Sequence, residues 1–208
     1  MAERVIQLGI PEQELTDSVV LAVTALLENL EDANRELELA KANFTELEQL
    51  VDVDCLAPVP NRRAFMRRLA WAISMHERYG HPCSILYFDL NDFKHINDSH
   101  GHAAGDEVIR HVSQVFLRSL RDSDFMARLG GDEFAIIMYH AQLQAARDRG
   151  VNILERLAAS PVTSFAEPIA INAAFGAYEI GKGDDPEKAL AQADKQMYLD
   201  KKRTRESV

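Results

Sequence analysis

Hydrophobic positions in the first quarter of the chain recur in alternating steps of three and four. Val23, Leu30, Leu37, Phe44 and Val51 fall at heptad position a, and Leu26, Ala33, Ala40 and Leu47 at d. Glu28, Glu31, Arg35, Glu36, Glu38, Lys41, Glu46 and Glu48 occupy the faces between. Neither glycine nor proline interrupts 12–57. The spacing therefore predicts one long helix with a narrow apolar seam suited to a second copy of itself. A helix folded back on the remainder of the chain is the alternative. Alanines at d allow close approach but weaken the association.

Beyond this segment the periodicity changes. Ala57-Pro58-Val59-Pro60 cannot continue a helix. Asn61 is suited to cap a new one over 62–79, with Phe65, Leu69 and Ile73 on one face. Gly80-His81-Pro82 is a turn, and the apolar run 83–88 reads as a buried strand. A helix then carries Val108, Ile109, Val112, Val115, Phe116 and Leu120. Two short strands, 125–129 and 134–139, flank Gly130-Gly131. A helix over 142–157, a strand over 169–180 and a last helix over 186–202 complete the pattern. The order predicts an α/β fold, a sheet with a central hairpin packed against helices.

Composition narrows the function. The 208 residues are 47% hydrophobic, enough for one sizeable domain and an appendage. Net charge is −10, which argues against a nucleic-acid surface. An anionic substrate would need metal ions and a few local cations. No apolar run approaches the roughly 20 residues of a membrane span. The first residues lack the apolar core of a secretory signal. Cys55 and Cys83 have no metal-ligand spacing, so reduced thiols in a cytoplasmic protein are expected.

Two acidic groups stand out. Asp89 follows the strand 83–88, and Asp132 and Glu133 follow the glycine pair. A Gly-Gly turn suits a tight hairpin and lets backbone amides approach a phosphate. If the two strands are adjacent, Asp89 and Asp132 meet at one rim. Such a pair suits magnesium in phosphoryl or nucleotidyl transfer. By residue pattern alone, acidic residues beside a turn are equally at home on an ordinary surface.

The segment Arg128-Leu129-Gly130-Gly131-Asp132-Glu133-Phe134 contains the pentapeptide of the GGDEF family. Residues 88–98 (FDLNDFKHIND), with Gly101-His102 and Gly105-Asp106, resemble that family's nucleotide-binding stretch. Asp54 with Asn61-Arg62-Arg63, and Ala193-Asp194 with Met197-Tyr198 and Lys201, match in order as well. The chain thus resembles GGDEF diguanylate cyclases from about Asp54 to Arg205.

The resemblance implies a sheet like that of nucleotidyl cyclases and polymerase palms, preceded by the coiled-coil helix. It divides the chain into a dimerisation segment, 1–54, and a cyclase domain, 55–208. It implies that two GTP molecules are joined into cyclic di-GMP by a homodimer, with magnesium, or manganese in its place, as cofactor. Asp89, the Leu90 carbonyl, Asp132 and Glu133 would hold the metal, with Asp132 and Glu133 catalytic. Asn97 and Asp106 would read guanine, and His102 would lie beside them. Lys94, Lys201 and Arg205 would neutralise phosphates, aided by amides near Phe93, Gly130 and Gly131. Arg121 and Asp124 match the family's Arg-x-x-Asp product-inhibition motif. His95, His100, His111 and His140 are expected at the surface or in packing, and nothing supports zinc.

The chain departs from the family pattern at Leu56-Ala57-Pro58-Val59, at Ala174-Phe175-Gly176, and at Thr204 and Glu206 around Arg205. None of these removes a metal ligand. The rival reading is an inactive domain that senses cyclic di-GMP through Arg121 and Asp124. A second is a structural role, the coiled coil recruiting partners. With so few residues before Asp54, the activating signal is expected from a protein partner or from the helix itself.

Overall fold

A computed structural model describes residues 16–50, 52–165 and 167–206, with side chains over 16–41, 52–165 and 167–202. The seam positions Phe44, Leu47 and Val51, and the Arg205 side chain, lie outside the described residues. The chain divides into two compact units, 1–51 and 52–208.

The first unit contains helix α1, Asp17–Leu50. Thr16 caps it, its hydroxyl accepting from Val19 N at 3.4 Å. Arg35–Asp32 and Lys41–Glu38 pairs, at 3.3 and 2.9 Å, follow its solvated face. Leu26, Leu30 and Leu37 of the seam are 67%, 59% and 51% exposed, so their apolar surface remains open to another chain. The helix stops at Leu50, short of 57. The segment after it turns back instead, with Val53 bridged to Pro60 and Asn61 N donating to Asp52 O at 2.9 Å.

The second unit is a three-layer sandwich. In chain order its elements are α2 (Arg62–Tyr79), β1 (Cys83–Leu90), α3 (Phe93–His100), α4 (His102–Leu117), β2 (Phe125–Gly130), β3 (Glu133–Tyr139), α5 (Leu143–Ala158), β4 (Ala173–Glu179) and α6 (Pro186–Glu206). The strand order is β2-β3-β1-β4, with every neighbour antiparallel. Phe88, Phe134 and Ile136 face α4 and α5 on one side of the sheet. Ile85, Tyr87 and Ile137 face α2 and α6 on the other. Both faces are covered, which explains why β1 is an almost unbroken apolar run. Among the described residues no helix is long and apolar enough to cross a membrane.

Local chemistry accounts for the boundaries. Asn61 Oδ1 accepts from Ala64 N at 3.0 Å and Gly80 closes α2 at φ 70°. The hairpin lies at one side of the sheet, with β2 as the edge strand. β1 runs two residues past Phe88, because Asp89 and Leu90 still pair with β4, and Asp89 with Glu133 of β3. The predicted strand 169–180 is shorter in its first half, where Ile169 makes only an isolated bridge to Val162. Gly176 brings α6 down onto β4: a Cβ there would lie 2.1 Å from the Ala193 carbonyl oxygen. That close approach delivers Lys201 to the end of β1.

Candidate active site

The antiparallel register places Asp89 opposite Glu133, one residue from the β2–β3 turn. Leu90 N donates to Asp132 O at 3.2 Å, tying the end of β1 to that turn. Gly130 and Gly131 form the turn with φ of 154° and 44°. Asp89 and Asp132 therefore share one rim, as the strand pattern anticipates. Lys201 of α6 reaches across to form an ion pair with the Asp89 carboxylate.

Burial raises the Asp132 carboxyl above the usual carboxylate range, and the nearby Asp89 charge adds to this. Its own backbone N–H, Lys201 and Arg128 oppose the shift. A half-buried carboxyl beside a second carboxylate is suited to a cation, as is the Leu90 carbonyl next to them in the chain. The donor set thus fits a hard divalent metal. Among the described residues no group of three or more His, Cys, Asp or Glu side chains gathers for a metal, so the fit rests on two carboxylates and a carbonyl.

Glu133 points to the α2–α6 side of the sheet, where the Tyr87 hydroxyl hydrogen-bonds to it. That contact and burial together push the Tyr87 phenol well above its ordinary value, with burial the larger cause.

A cleft of about 400 Å³ opens beside the carboxylates, lined by Leu90, Asp92, Phe93, Lys94, His95, Asp98, Asp132 and Lys201. Lys94 and Lys201 are its cations. Asp92, at φ 55°, turns the chain from β1 into α3. Asn97 lies one turn further along α3, over Gly105 at the start of α4. A Cβ on Gly105 would sit 2.0 Å from Asn97 Oδ1. His102 and Asp106 are exposed on the first turns of α4. Gly105→Ala should therefore displace Asn97 and, on the guanine-reading role that the family resemblance implies for it, raise KM for GTP about tenfold with a smaller change in kcat. Steady-state kinetics checks this.

Arg121 and Asp124 lie away from this rim. β2 separates Phe125 from Gly130 by five steps, about 17 Å. Asp124 Oδ2 accepts from Arg121 N at 3.1 Å, closing the turn. The Arg121 side chain is exposed and enters no ion pair among the described residues.

Arg128 has a role that sequence reasoning missed. Its Nε and one terminal nitrogen donate to Gly131 O at 3.0 and 2.7 Å. The other terminal nitrogen donates to Asp54 Oδ1 at 2.9 Å. The only hint in the sequence was an arginine two residues before the glycine pair.

The raised Asp132 carboxyl has a consequence for stability. Its charged form is penalised by folding, so its contribution is most favourable below the unfolded value of 3.8 and declines as pH rises through the folded value. In metal-free buffer, Asp132→Asn should raise the melting temperature at pH 7 by on the order of 2 °C. The gain should vanish near pH 3, as thermal melts across pH would reveal.

The chain matches the family described as "Diguanylate cyclase, GGDEF domain" over residues 51–207. It is 33% identical to diguanylate cyclase DosC of Escherichia coli K12 across 190 residues, covering 90% of this chain and 41% of DosC. It is 32% identical to diguanylate cyclase TpbB of Pseudomonas aeruginosa, covering 99% of this chain and 47% of TpbB. The coiled coil and GGDEF domain of DgcB from Caulobacter crescentus, solved with c-di-GMP, superposes with a TM-score of 0.69 at 26% identity. That match covers 86% of this chain and 95% of the DgcB structure. An acidic sheet rim thus faces a lysine-lined cleft, and the chain belongs to the GGDEF diguanylate cyclase family. It spans less than half the length of the curated relatives it matches.

Proposed function

We propose that this chain is a diguanylate cyclase that condenses two GTP into cyclic di-GMP and two pyrophosphates as a homodimer. The observation that carries the reading is the meeting of Asp89, Asp132 and Lys201 at one sheet rim, beside a cleft walled by Phe93 and Lys94. Asp89, Asp132 and the Leu90 carbonyl are the residues to hold magnesium or manganese, with Glu133 beside them. When bound, the metal lowers the pKa of the attacking hydroxyl and offsets charge on the phosphates.

The residues of this chain bind and orient. Asn97 and Asp106 offer an amide and a carboxylate to the guanine edge, with His102 nearby. Lys94, Lys201 and Arg205 bind the triphosphate, with the amides of Phe93, Gly130 and Gly131. The 3′-oxygen of one GTP attacks the α-phosphorus of the other, forming a P–O bond while the bond to pyrophosphate breaks. Repetition with the roles reversed closes the ring. One site holds only one GTP, so a second domain must face it. The α1 seam is suited to supply it, acting as a dimerisation segment. Arg121 and Asp124 bind product for feedback inhibition. An activating protein partner acting through α1 fits the same scheme.

Incubating the protein with GTP and magnesium, after stripping bound nucleotide, tests the reading. Cyclic di-GMP should be the chromatographic product. Turnover of GTP to anything else, or none at all, contradicts it. Leu30→Asp combined with Leu37→Asp should make the protein monomeric by sedimentation and lower specific activity at least about tenfold at micromolar concentration.

A further inference from the structure

Asp89 and Glu133 stand directly opposite each other on β1 and β3. Like charges in that position repel, and among the described residues the rim carboxylates do not gather on one point. Each of the opposed pair has its own donor instead. Lys201 reaches Asp89 from α6, and the Tyr87 hydroxyl donates to Glu133 from β1. The register itself brings the second pair together. Tyr87 lies diagonal to Glu133 across the ladder, within reach of an aromatic side chain.

Packing does not account for that hydroxyl. Tyr87 is 4% exposed and is flanked in the sheet by Ala135 on β3 and Gly176 on β4, two small residues that leave its ring room beneath α6. The layer around it is apolar, with Ile85, Leu129, Ile137 and Met197 among its members. Among the described residues of that layer Tyr87 brings the only buried hydroxyl. A phenylalanine would fill the same space. A phenol carries its own proton at neutral pH, so toward a carboxylate it donates. The contact therefore fixes a side chain that has several rotatable bonds and would otherwise have to be ordered when a ligand arrives.

We propose that Tyr87 is a positioning residue for metal binding: its hydroxyl holds one oxygen of Glu133 and leaves the other for the divalent cation shared with Asp89 and Asp132. This role rests on the cyclase reading, which puts Glu133 at the metal. Outer-shell hydrogen bonds of this kind orient metal-binding carboxylates before the ion arrives, and their loss weakens metal affinity.

Manganese binding tests this without turnover. The full chain, stripped of nucleotide, is loaded with a GTP analogue bearing a methylene α,β-bridge, and free Mn²⁺ is followed by electron paramagnetic resonance. Tyr87→Phe should weaken Mn²⁺ binding about tenfold, with an undiminished melting temperature in EDTA. At saturating metal its KM for GTP should stay within about twofold of the unsubstituted protein. Tyr178→Phe removes another phenol–carboxylate bond, to Asp184 at 2.8 Å, near the end of β4 away from the rim. It should leave Mn²⁺ binding unchanged. Glu133→Ala should itself weaken Mn²⁺ binding by about tenfold or more, and adding Tyr87→Phe to it should change nothing further. Unchanged Mn²⁺ affinity in Tyr87→Phe, an equal loss in Tyr178→Phe, or a further loss on top of Glu133→Ala would overturn the proposal. Unchanged affinity in Glu133→Ala would take the metal away from Glu133 and this role with it. Weakened binding in Tyr87→Phe, beside an unsubstituted protein that makes no cyclic di-GMP, would sink the cyclase reading alone.

Discussion

Asp132→Ala should lower cyclic di-GMP synthesis by about three orders of magnitude or more, a loss of roughly 4 kcal/mol in transition-state stabilisation. The size follows from what Asp132 does at the rim. With Asp89 it is one of the carboxylates proposed to hold the metal, and Leu90 N is anchored to its carbonyl. Removing the side chain leaves only Asp89, already paired with Lys201, and Glu133, already hydrogen-bonded by Tyr87, to hold the proposed metal. Binding of GTP through Asn97 and Asp106 should survive, so the loss should appear in kcat rather than KM. Folding should survive as well, because burial and the Asp89 charge already disfavour the ionised Asp132 carboxyl. An inactive variant with an undiminished melting temperature is the expected result. Retention of a tenth of the wild-type rate would move the metal elsewhere, and loss of the fold would leave Asp132 a structural residue.

How much of this was legible in the sequence depended on how local the determinants were. Helix α2 was readable to its ends, since Asn61 and Gly80 stop it by their own chemistry. The alternation of β2 and β3 around two glycines was equally local. Strand β1 was read two residues short because Asp89 looks like an end signal; pairing with β3 and β4 overrides that. Helix α3 was not distinguished from its surroundings. Of its eight residues only Ile96 is buried, so it carries no apolar periodicity. The end of α1 was placed too late for the opposite reason. Absence of glycine and proline permits a helix but does not require one, and the hydrogen bonds that reverse the chain come from 52–61 pairing with itself.

The site was legible where residues lie near one another in sequence and illegible where they meet across it. Phe93, Lys94 and Asn97 lie within five residues of one another in a stretch that the family resemblance marked, and the structure puts them on one short helix. Lys201 meets Asp89 across 112 residues, and only the family resemblance brought it to the substrate. Tyr87 meets Glu133 from a different strand, with no motif to mark the contact. The tie between Asp54 and Arg128 spans 74 residues and was likewise invisible.

That tie sets the second large expectation. Arg128→Ala should destabilise the catalytic unit by about 2–3 kcal/mol and lower its melting temperature by roughly 5–10 °C. The Arg128 and Asp54 side chains are only 12% and 14% exposed, so the pair is mostly withdrawn from solvent. Asp54 Oδ1 also accepts from Leu56 N and Ala57 N, at 3.0 and 2.8 Å, which keeps it in place after the arginine has gone. A carboxylate left without its cation in that setting costs more than an exposed pair would contribute. Activity should fall as well, by about tenfold to a hundredfold in kcat, because two arginine nitrogens no longer hold Gly131 O next to Asp132. Arg128→Lys separates the two effects. A lysine can still neutralise Asp54 but cannot grip Gly131 and Asp54 at once, so stability should recover more than turnover does. Thermal melts beside steady-state rates would show it. Equal recovery of both would mean that Arg128 acts on the fold alone and that the turn holds Asp132 without its help.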